Sequence, residues 1–327
     1  MKPTIKNIAK AAGVSTATVS RALANKDNLI RPETSARVRK IAQQMGYHKN
    51  VAASQLASNI TKTIAVIINY TQTDFWQTIL DGILKRAHER GHKVIIFSAG
   101  EHDPQRLNET INEALEHQAT GILLISGRID HQQVNTLSNA HTPYRLISIY
   151  NLRHPEHRFI SSDDVKIGIE ATDYLLQRGH TKIGLVGIDH SSTGQQRLFG
   201  FQKAMTNAGL IIDPGWIHYG NYSYENGKEL FQEIQGRGLT AVVAGSDMIA
   251  AGLIKEAARN GVKVPDQLSI IGIDGSIIDE IVTPELTTVS QDFFKMGTAS
   301  VDNLLDDDQS LFIPTKIVER ASVKDLN

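Results

Sequence analysis

Residues 5–23 read IKNIAKAAGVSTATVSRAL. Thr4, just before them, suits a helix N-cap, and Ile5, Ile8, Ala9 and Ala12 recur on one helical face. Gly13 is the residue that tolerates the left-handed conformation ending a helix, and Val14 follows as a buried plug. Ser15 caps a second helix from Thr16 to about Ala24, with Val19 and Leu23 turned inward. Thr16, Ala17, Ser20 and Arg21 are left on its outer side. Pro32 opens a third helix, whose inner face is Val38, Ile41, Ala42 and Met45 and whose stop is Gly46. Two short helices joined by a glycine turn, with a third packed beneath, make a helix-turn-helix domain.

The charge supports more than a small helical bundle. Residues 1–60 hold ten lysines and arginines against two acids, a net +8, while the remaining residues hold 24 bases and 33 acids, a net −9. A basic head on an acidic body is the footprint of a nucleic-acid binder, because neutralising phosphates releases counterions. The small, polar start of the second helix suits entry into a major groove about 12 Å wide. Thr16 and Ala17 are the candidates for base edges, and Arg21 for a bidentate contact with guanine. Thr4, Ser15, Thr18, Ser20 and Asn25 suit phosphate oxygens, which position without specifying.

The stretch from Ile5 to Leu23, continued through Gly46-Tyr47, resembles the N-terminal motif of the lactose/galactose repressor (LacI/GalR) family, and the likeness extends to near residue 320. Residues 50–61 (NVAASQLASNIT) are too short to hold a helix alone in water. The resemblance implies a hinge that folds when two copies meet over the operator's centre. Leu56 then matches the leucine wedged into the minor groove, and Tyr47 and Asn50 join the DNA-contacting set. Lys49 stands where the family usually has proline, and Ser54 where it has arginine before the leucine.

From residue 62 the pattern becomes apolar runs of strand length (Thr63–Asn69, Gly121–Ile125, Lys182–Val186, Ala241–Ala244, Ser269–Ile273) alternating with amphipathic helices. Such repetition means parallel, doubly wound sheets. Two similar α/β halves facing across a cleft would bind a small molecule at the strands' carboxyl ends. The resemblance implies the same fold, that of periplasmic sugar-binding proteins. The expected organisation is an all-α helix-turn-helix domain (1–47), a hinge (48–61) and an effector-binding and dimerisation domain (62–327) of two α/β subdomains, the second roughly 162–289.

Candidate cleft residues lie just past strand ends. Phe75 and Trp76 offer stacking faces, with helix core as the other reading. Arg197 offers a five-donor fork, with a surface salt bridge as the other reading. Asp274 and Asp247 offer carboxylates for hydroxyls, Asp247 being better suited to capping the helix that follows it; Ser246, Tyr222 and Gln291 complete the set. On the family pattern Phe75, Trp76, Arg197, Tyr222, Ser246 and Asp274 fall on effector-contacting positions, with Asp163 near one. Where the purine-binding branch carries an arginine before Thr193 this chain has Ser191, which points to a carbohydrate.

Two other classes stay open, a solute-binding protein without a DNA role and a zinc hydrolase built on His88 and His92. The string His88-Glu89-Arg90-Gly91-His92 spells a zinc-protease motif, but Gly91 should stop the helix and send the two rings apart. His154-Pro155-Glu156-His157 is expected to be a surface loop, and Asp306-Asp307-Asp308 a solvated turn. The chain has 327 residues, 41% of them apolar, and no cysteine, which removes disulfides, thiolate metal sites and a cysteine nucleophile. No apolar run approaches the ~18–20 residues of a membrane span, and no leader is expected behind Met1. A solute-binding protein shares the body, but lacks a reason for the basic head. The reading is a cytoplasmic, non-enzymatic transcriptional repressor without a cofactor. It would be a homodimer on a near-palindromic double-stranded operator, controlled by a small-molecule effector and open to a protein co-regulator.

Overall fold

A computed structural model describes residues 3–23, 29–47, 62–69, 73, 75–100, 103–125, 129, 131–150 and 157–327. Asn25, Lys49, Asn50, Ser54 and Leu56 lie outside them. The chain forms two compact units, Met1–Thr61 and Lys62–Asn327.

The first unit contains α1 (Ile5–Ala12), α2 (Thr16–Leu23) and α3 (Pro32–Gln44). Thr4 and Asn7 close a capping box on α1, satisfying two amides that the helix start leaves free. Gly13 ends α1 at φ 64°, a conformation that side chains with a Cβ resist. The core is Ile8, Ala9, Ala12, Val19, Ala22, Val38 and Ala42. Val14, Leu23 and Ile41 pack against this core half-buried, α2 turning Ala22 rather than Leu23 fully inward. The inward expectation for Met45 needs correction: it is 38% exposed, because it falls beyond the last turn of α3.

The second unit carries two sheets. The first comprises β1 (Thr63–Asn69), β2 (Lys93–Gly100), β3 (Gly121–Ile125), β4 (Tyr144–Ile147), β5 (Phe159–Ser161) and β11 (Leu311–Phe312), ordered β11-β5-β4-β3-β1-β2 and parallel throughout. The second comprises β6 (Ile183–Ile188), β7 (Ile217–Tyr219), β8 (Ala241–Ala244), β9 (Ser269–Asp274), β10 (Thr287–Gln291) and β12 (Thr315–Val318), ordered β12-β10-β9-β8-β6-β7, with only β12 antiparallel. Each central strand feeds two cores, one per face. Ile64, Val66 and Ile68 face one side of β1, and Ala65 and Ile67 the other. Burial on both faces is why these strands are continuous apolar runs rather than alternating ones.

The helices of this unit are α4 (Phe75–Glu89), α5 (Pro104–Glu116), α6 (His131–Asn139), α7 (Asp164–Leu176), α8 (Ser192–Asn207), α9 (Tyr224–Ile234), α10 (Asp247–Arg259), α11 (Ile278–Ile281) and α12 (Phe293–Asp306). The chain passes between the sheets three times, after β5, after β10 and after β11. After β10 it returns to the first sheet as α12, which lies on α4. There Gly82 and Gly297 face each other's helix so closely that a Cβ on either would meet a backbone carbonyl within 2.3 Å. Arg86 of α4 and Arg90 just past its end reach Asp302 and Asp306 of α12 at 2.7–2.9 Å.

Candidate functional site

In the first unit, α2 begins with the Ser15 hydroxyl accepting from the Thr18 amide at 3.1 Å and lying 2.9 Å from the Thr18 hydroxyl. Thr16, Ala17, Ser20 and Arg21 are exposed, while Thr18 and Tyr47 are half-buried. The four exposed residues fall at positions i, i+1, i+4 and i+5, one stripe of a helix opposite buried Val19 and Ala22. Arg39 of α3 donates to the Ala22 carbonyl at 3.1 Å, tying the end of α2 to the helix beneath. Tyr47 packs against the head's core, and Thr4 spends its side chain on capping.

In the second unit the strands' carboxyl ends gather most of the predicted cleft residues. Arg197 on α8 is 6% exposed, so the surface-salt-bridge alternative is overturned. Its Nε donates to Asp164 Oδ1 and its Nη1 to the Gly245 carbonyl, both at 2.8 Å. Burial pulls the guanidinium's pKa down, but Asp164, Tyr222 and Asp274 more than offset this and hold it above its ordinary value. The Tyr222 ring lies 5.9 Å from the guanidinium, and its hydroxyl donates to Asp189 Oδ1 at 3.0 Å. Ser246 caps α10 through the Ile249 amide and donates to the Tyr222 carbonyl at 2.8 Å. Gln291 Nε2 donates to Asp274 Oδ1 at 3.0 Å. Burial and then Asp247's charge push the Asp274 carboxyl well above the usual range, against the pull of Arg197 and Gln291.

Backbone strain marks the same place. Asp274 has φ 137° and Tyr222 φ 65°, where L side chains rarely sit. Strain of this kind costs about 1–3 kcal/mol per residue and persists where the surroundings over-determine it, often at ligand sites. Asp163 caps α7 through the Lys166 amide at 3.0 Å. Phe75 stacks on Phe293, centroids 4.9 Å apart, and both Phe75 and Trp76 pack against the first sheet's core. Trp76 Nε1 is nevertheless buried without a hydrogen-bond partner, as are Ser162 Oγ, Gln196 Oε1 and Ser276 Oγ. Each follows the carboxyl end of a strand: β1, β5, β6 and β9 respectively.

Asp247 does not cap its helix. It accepts from the Gly275 and Ser276 amides at 2.8 and 2.9 Å and from the Thr288 hydroxyl at 2.7 Å, pinning the loop after Asp274. Beside it lies fully buried Asp279, pushed up to about 9 by burial and then by Asp247. A carboxyl raised this way leaves the fold's stability intact below about pH 4 and drains it as pH rises through about 9. Asp279→Asn keeps a donor towards Asp247 without the ionisation. The variant is expected to melt higher than the parent at pH 8 and level with it at pH 4, as thermal denaturation across pH would show.

Sequence reasoning missed Asp164, Asp189, Ser162, Gln196 and Ser276. The first two are charges at strand ends, a signal that could have found them; the other three carried none. The zinc-protease string behaves as expected locally: α4 stops at Glu89, Gly91 has φ 69°, and His92 Nδ1 lies 3.0 Å from the Arg90 carbonyl. His157 departs from the surface-loop expectation, being 7% exposed with Nδ1 at 2.8 Å from the Tyr144 hydroxyl; residues 151–156 lie outside the described residues. A cavity of about 490 Å³ lies at the opposite end of the first sheet, lined by Tyr144, Arg145, Leu304 and Asp306–Asp308 among others. Arg145 there already donates to Asn303 and the Asp307 carbonyl, so it works as a clamp on α12 rather than a ligand donor. Among the described residues no helix is long and apolar enough to cross a membrane.

Comparison with known proteins supplies the context for both faces. Residues 4–50 match the lacI family of bacterial regulatory proteins, and residues 172–323 the periplasmic binding protein-like domain. The HTH-type transcriptional regulator DegA of Bacillus subtilis is 34% identical over 338 residues, all of both chains. The lac repressor dimer bound to operator and the anti-inducer ONPF shares the fold with a TM-score of 0.90 at 23% identity, over 99% of this chain and 100% of that one. A LacI family regulator CCPA from Weissella paramesenteroides with bound glucose is 28% identical with a TM-score of 0.73, over 81% of this chain and 99% of that one. These relatives are transcriptional regulators rather than enzymes. With whole-length identity at this level and the reading helix and the α/β body on one polypeptide, the chain belongs to the lacI family of bacterial regulatory proteins and is a DNA-binding transcriptional regulator.

Proposed function

We propose that the protein is an effector-controlled repressor that binds a near-palindromic operator as a homodimer, with a carbohydrate bound between the two halves of its body. The observation that carries the effector reading is the set of buried, unpartnered polar atoms at strand ends: Trp76 Nε1, Ser162 Oγ, Gln196 Oε1 and Ser276 Oγ. Buried polar groups are almost always paired, and a ligand rich in both donors and acceptors would pair these four atoms past the ends of four strands. A sugar supplies these from each hydroxyl, and its apolar face suits Phe75, Trp76 or Tyr222. Arg197, Asp274, Ser246, Gln291 and Asp163 would supply further hydroxyl partners. The relative that carries glucose supports the same ligand class.

The effector acts by changing how the two halves meet. Allosteric couplings of this kind typically amount to about 1–3 kcal/mol. At the operator, Thr16, Ala17 and Arg21 read bases, and Ser15, Thr18, Ser20, Thr4, Tyr47 and Asn25 steady the phosphates. Asn50 and Leu56 act at the minor groove over the operator's centre.

The test is selection of genomic fragments by the purified protein, followed by gel shifts with and without sugars. Expected are a preferred two-half-site target, an affinity that falls steeply with salt, and a shift in affinity with a particular sugar. Arg21→Ala should cost about 1–3 kcal/mol of discrimination at one base pair of each half-site while leaving non-specific binding nearly unchanged. Equal losses on specific and random DNA would move Arg21 to a phosphate. A nucleoside, and no sugar, altering operator affinity would overturn the carbohydrate.

A further inference from the structure

Tyr219 ends β7, the edge strand of the second sheet, and His190 lies in the loop after β6. Their rings stack with centroids 4.0 Å apart and planes 24° from parallel. Tyr219 is 39% exposed and His190 is exposed as well. Neither belongs to a hydrophobic core, and no hydrogen bond to a described residue engages either ring.

This aromatic shelf is tied to the candidate cleft. The pairing of β6 with β7 shifts between Val186 and Ile188, which sets Ile188 opposite Tyr219 and brings the strand ends together. The Gly220 amide donates to the Ile188 carbonyl at 2.6 Å. One residue past Ile188, Asp189 accepts from the Tyr222 hydroxyl at 3.0 Å and from the Ser191 amide at 3.0 Å. The strained Tyr222 backbone and the Ser246 bond to its carbonyl fix the other side of that link. Tyr222 thus links Arg197, 5.9 Å from its ring, to Asp189, the residue that precedes His190 of the stack.

We propose that the His190–Tyr219 stack is an outer subsite that takes the second ring of the effector, so that the protein prefers a disaccharide or larger glycoside to a monosaccharide. The inference rests on the carbohydrate reading of the cleft. A sugar's apolar C–H face covers an aromatic face, and the histidine nitrogens and tyrosine hydroxyl at the rim can meet its hydroxyls. A solvent-facing stack that covers no core gains little for the fold from its outer face. It gains from a ligand that removes that face from water.

The experiment is titration calorimetry of the full-length protein with three matched pairs: methyl α-glucoside and maltose, methyl β-glucoside and cellobiose, methyl β-galactoside and lactose. In at least one pair the disaccharide should bind about tenfold more tightly than its methyl glycoside, the scale of one aromatic stacking contact. In the His190→Ala/Tyr219→Ala double variant that ratio should fall to within twofold of one, with the methyl glycoside's own affinity unchanged. Tyr219→Phe, which keeps the ring, should retain the ratio. A ratio that survives in the double variant overturns the outer subsite and leaves the cleft reading standing, as does a monosaccharide that binds as tightly as any disaccharide. Sugar binding indifferent to Arg197→Ala, or no sugar binding, overturns the cleft reading and the subsite with it.

Discussion

Arg197→Ala is expected to lose the effector response and about 3–5 kcal/mol of stability together, while keeping operator recognition. The stability loss arises because Asp164, 4% exposed, would be left buried without its partner. Burial already pushes the Asp164 carboxyl up against the pull of Arg197, and removing the guanidinium takes that pull away. The variant's Asp164 should therefore bind its proton more tightly when folded than when unfolded. Its destabilisation should be smallest below about pH 4 and grow as pH rises. Changing both ends, Arg197→Leu with Asp164→Asn, should recover most of the stability without restoring the response, because a well-packed neutral pair replaces the charges but not the donor fork. Thermal melts across pH, with gel shifts in the presence of effector, separate these outcomes. An effector response retained in Arg197→Ala would remove the residue from the site.

Gly200→Ala is the second large effect. Gly168 of α7 and Gly200 of α8 lie where the two helices cross. A Cβ on Gly200 would stand 2.1 Å from the Val165 carbonyl oxygen and 3.0 Å from the Ile169 amide. The opposing atoms are backbone, so the helices must part rather than a side chain swing away. Overpacking of this kind costs about 1–3 kcal/mol and sometimes more, and here the top of that range or beyond is expected. Parting the helices would also draw Arg197 on α8 from Asp164 on α7, so the variant should show a weakened effector response as well as a lower melting temperature. Gly209→Ala is the comparison: nothing lies within 4 Å of its Cβ, and only the φ of 71° is strained. That strain alone costs about 1–2 kcal/mol. Equal losses in the two variants would mean that the helix crossing tolerates a methyl group.

The contrast between those glycines shows how far local pattern reaches. Gly13, Gly91 and Gly209 sit at φ 64°, 69° and 71° with open space around them. Their work is local, and a helix pattern that stops at a glycine announces it. Gly82, Gly168, Gly200 and Gly297 lie inside helices, where propensity argues against them. Their reason is a partner helix distant in the chain. The same division runs through the strands. Thr63–Asn69, Gly121–Ile125 and Ala241–Ala244 are legible because burial on both faces leaves an unbroken apolar run. Tyr144–Ile147 is not, because Arg145 interrupts it, and that charge is tolerated only through Asn303 and carbonyls of α12. The start of α8 at Ser192 is not legible either, since the Ser191 cap sits in a run of small polar residues that reads as loop.

Within the string Ser161-Ser-Asp-Asp164, the family pattern singles out Asp163, yet the structure gives Asp163 the helix cap and Asp164 the arginine. A turn of about 100° per residue separates those roles, and nothing in the letters says which carboxylate points where. By itself the sequence determined the reading helix, the basic head, the two α/β halves and the strand ends where a ligand would sit, because each follows from period, charge or a stop signal within some twenty residues. Only the tertiary structure decided that Arg197 is buried against Asp164, that Asp247 pins a loop instead of capping a helix, and that α12 returns to the first sheet. These are pairings between groups tens to hundreds of residues apart, fixed by desolvation and close packing once the chain has folded, and no local pattern encodes them.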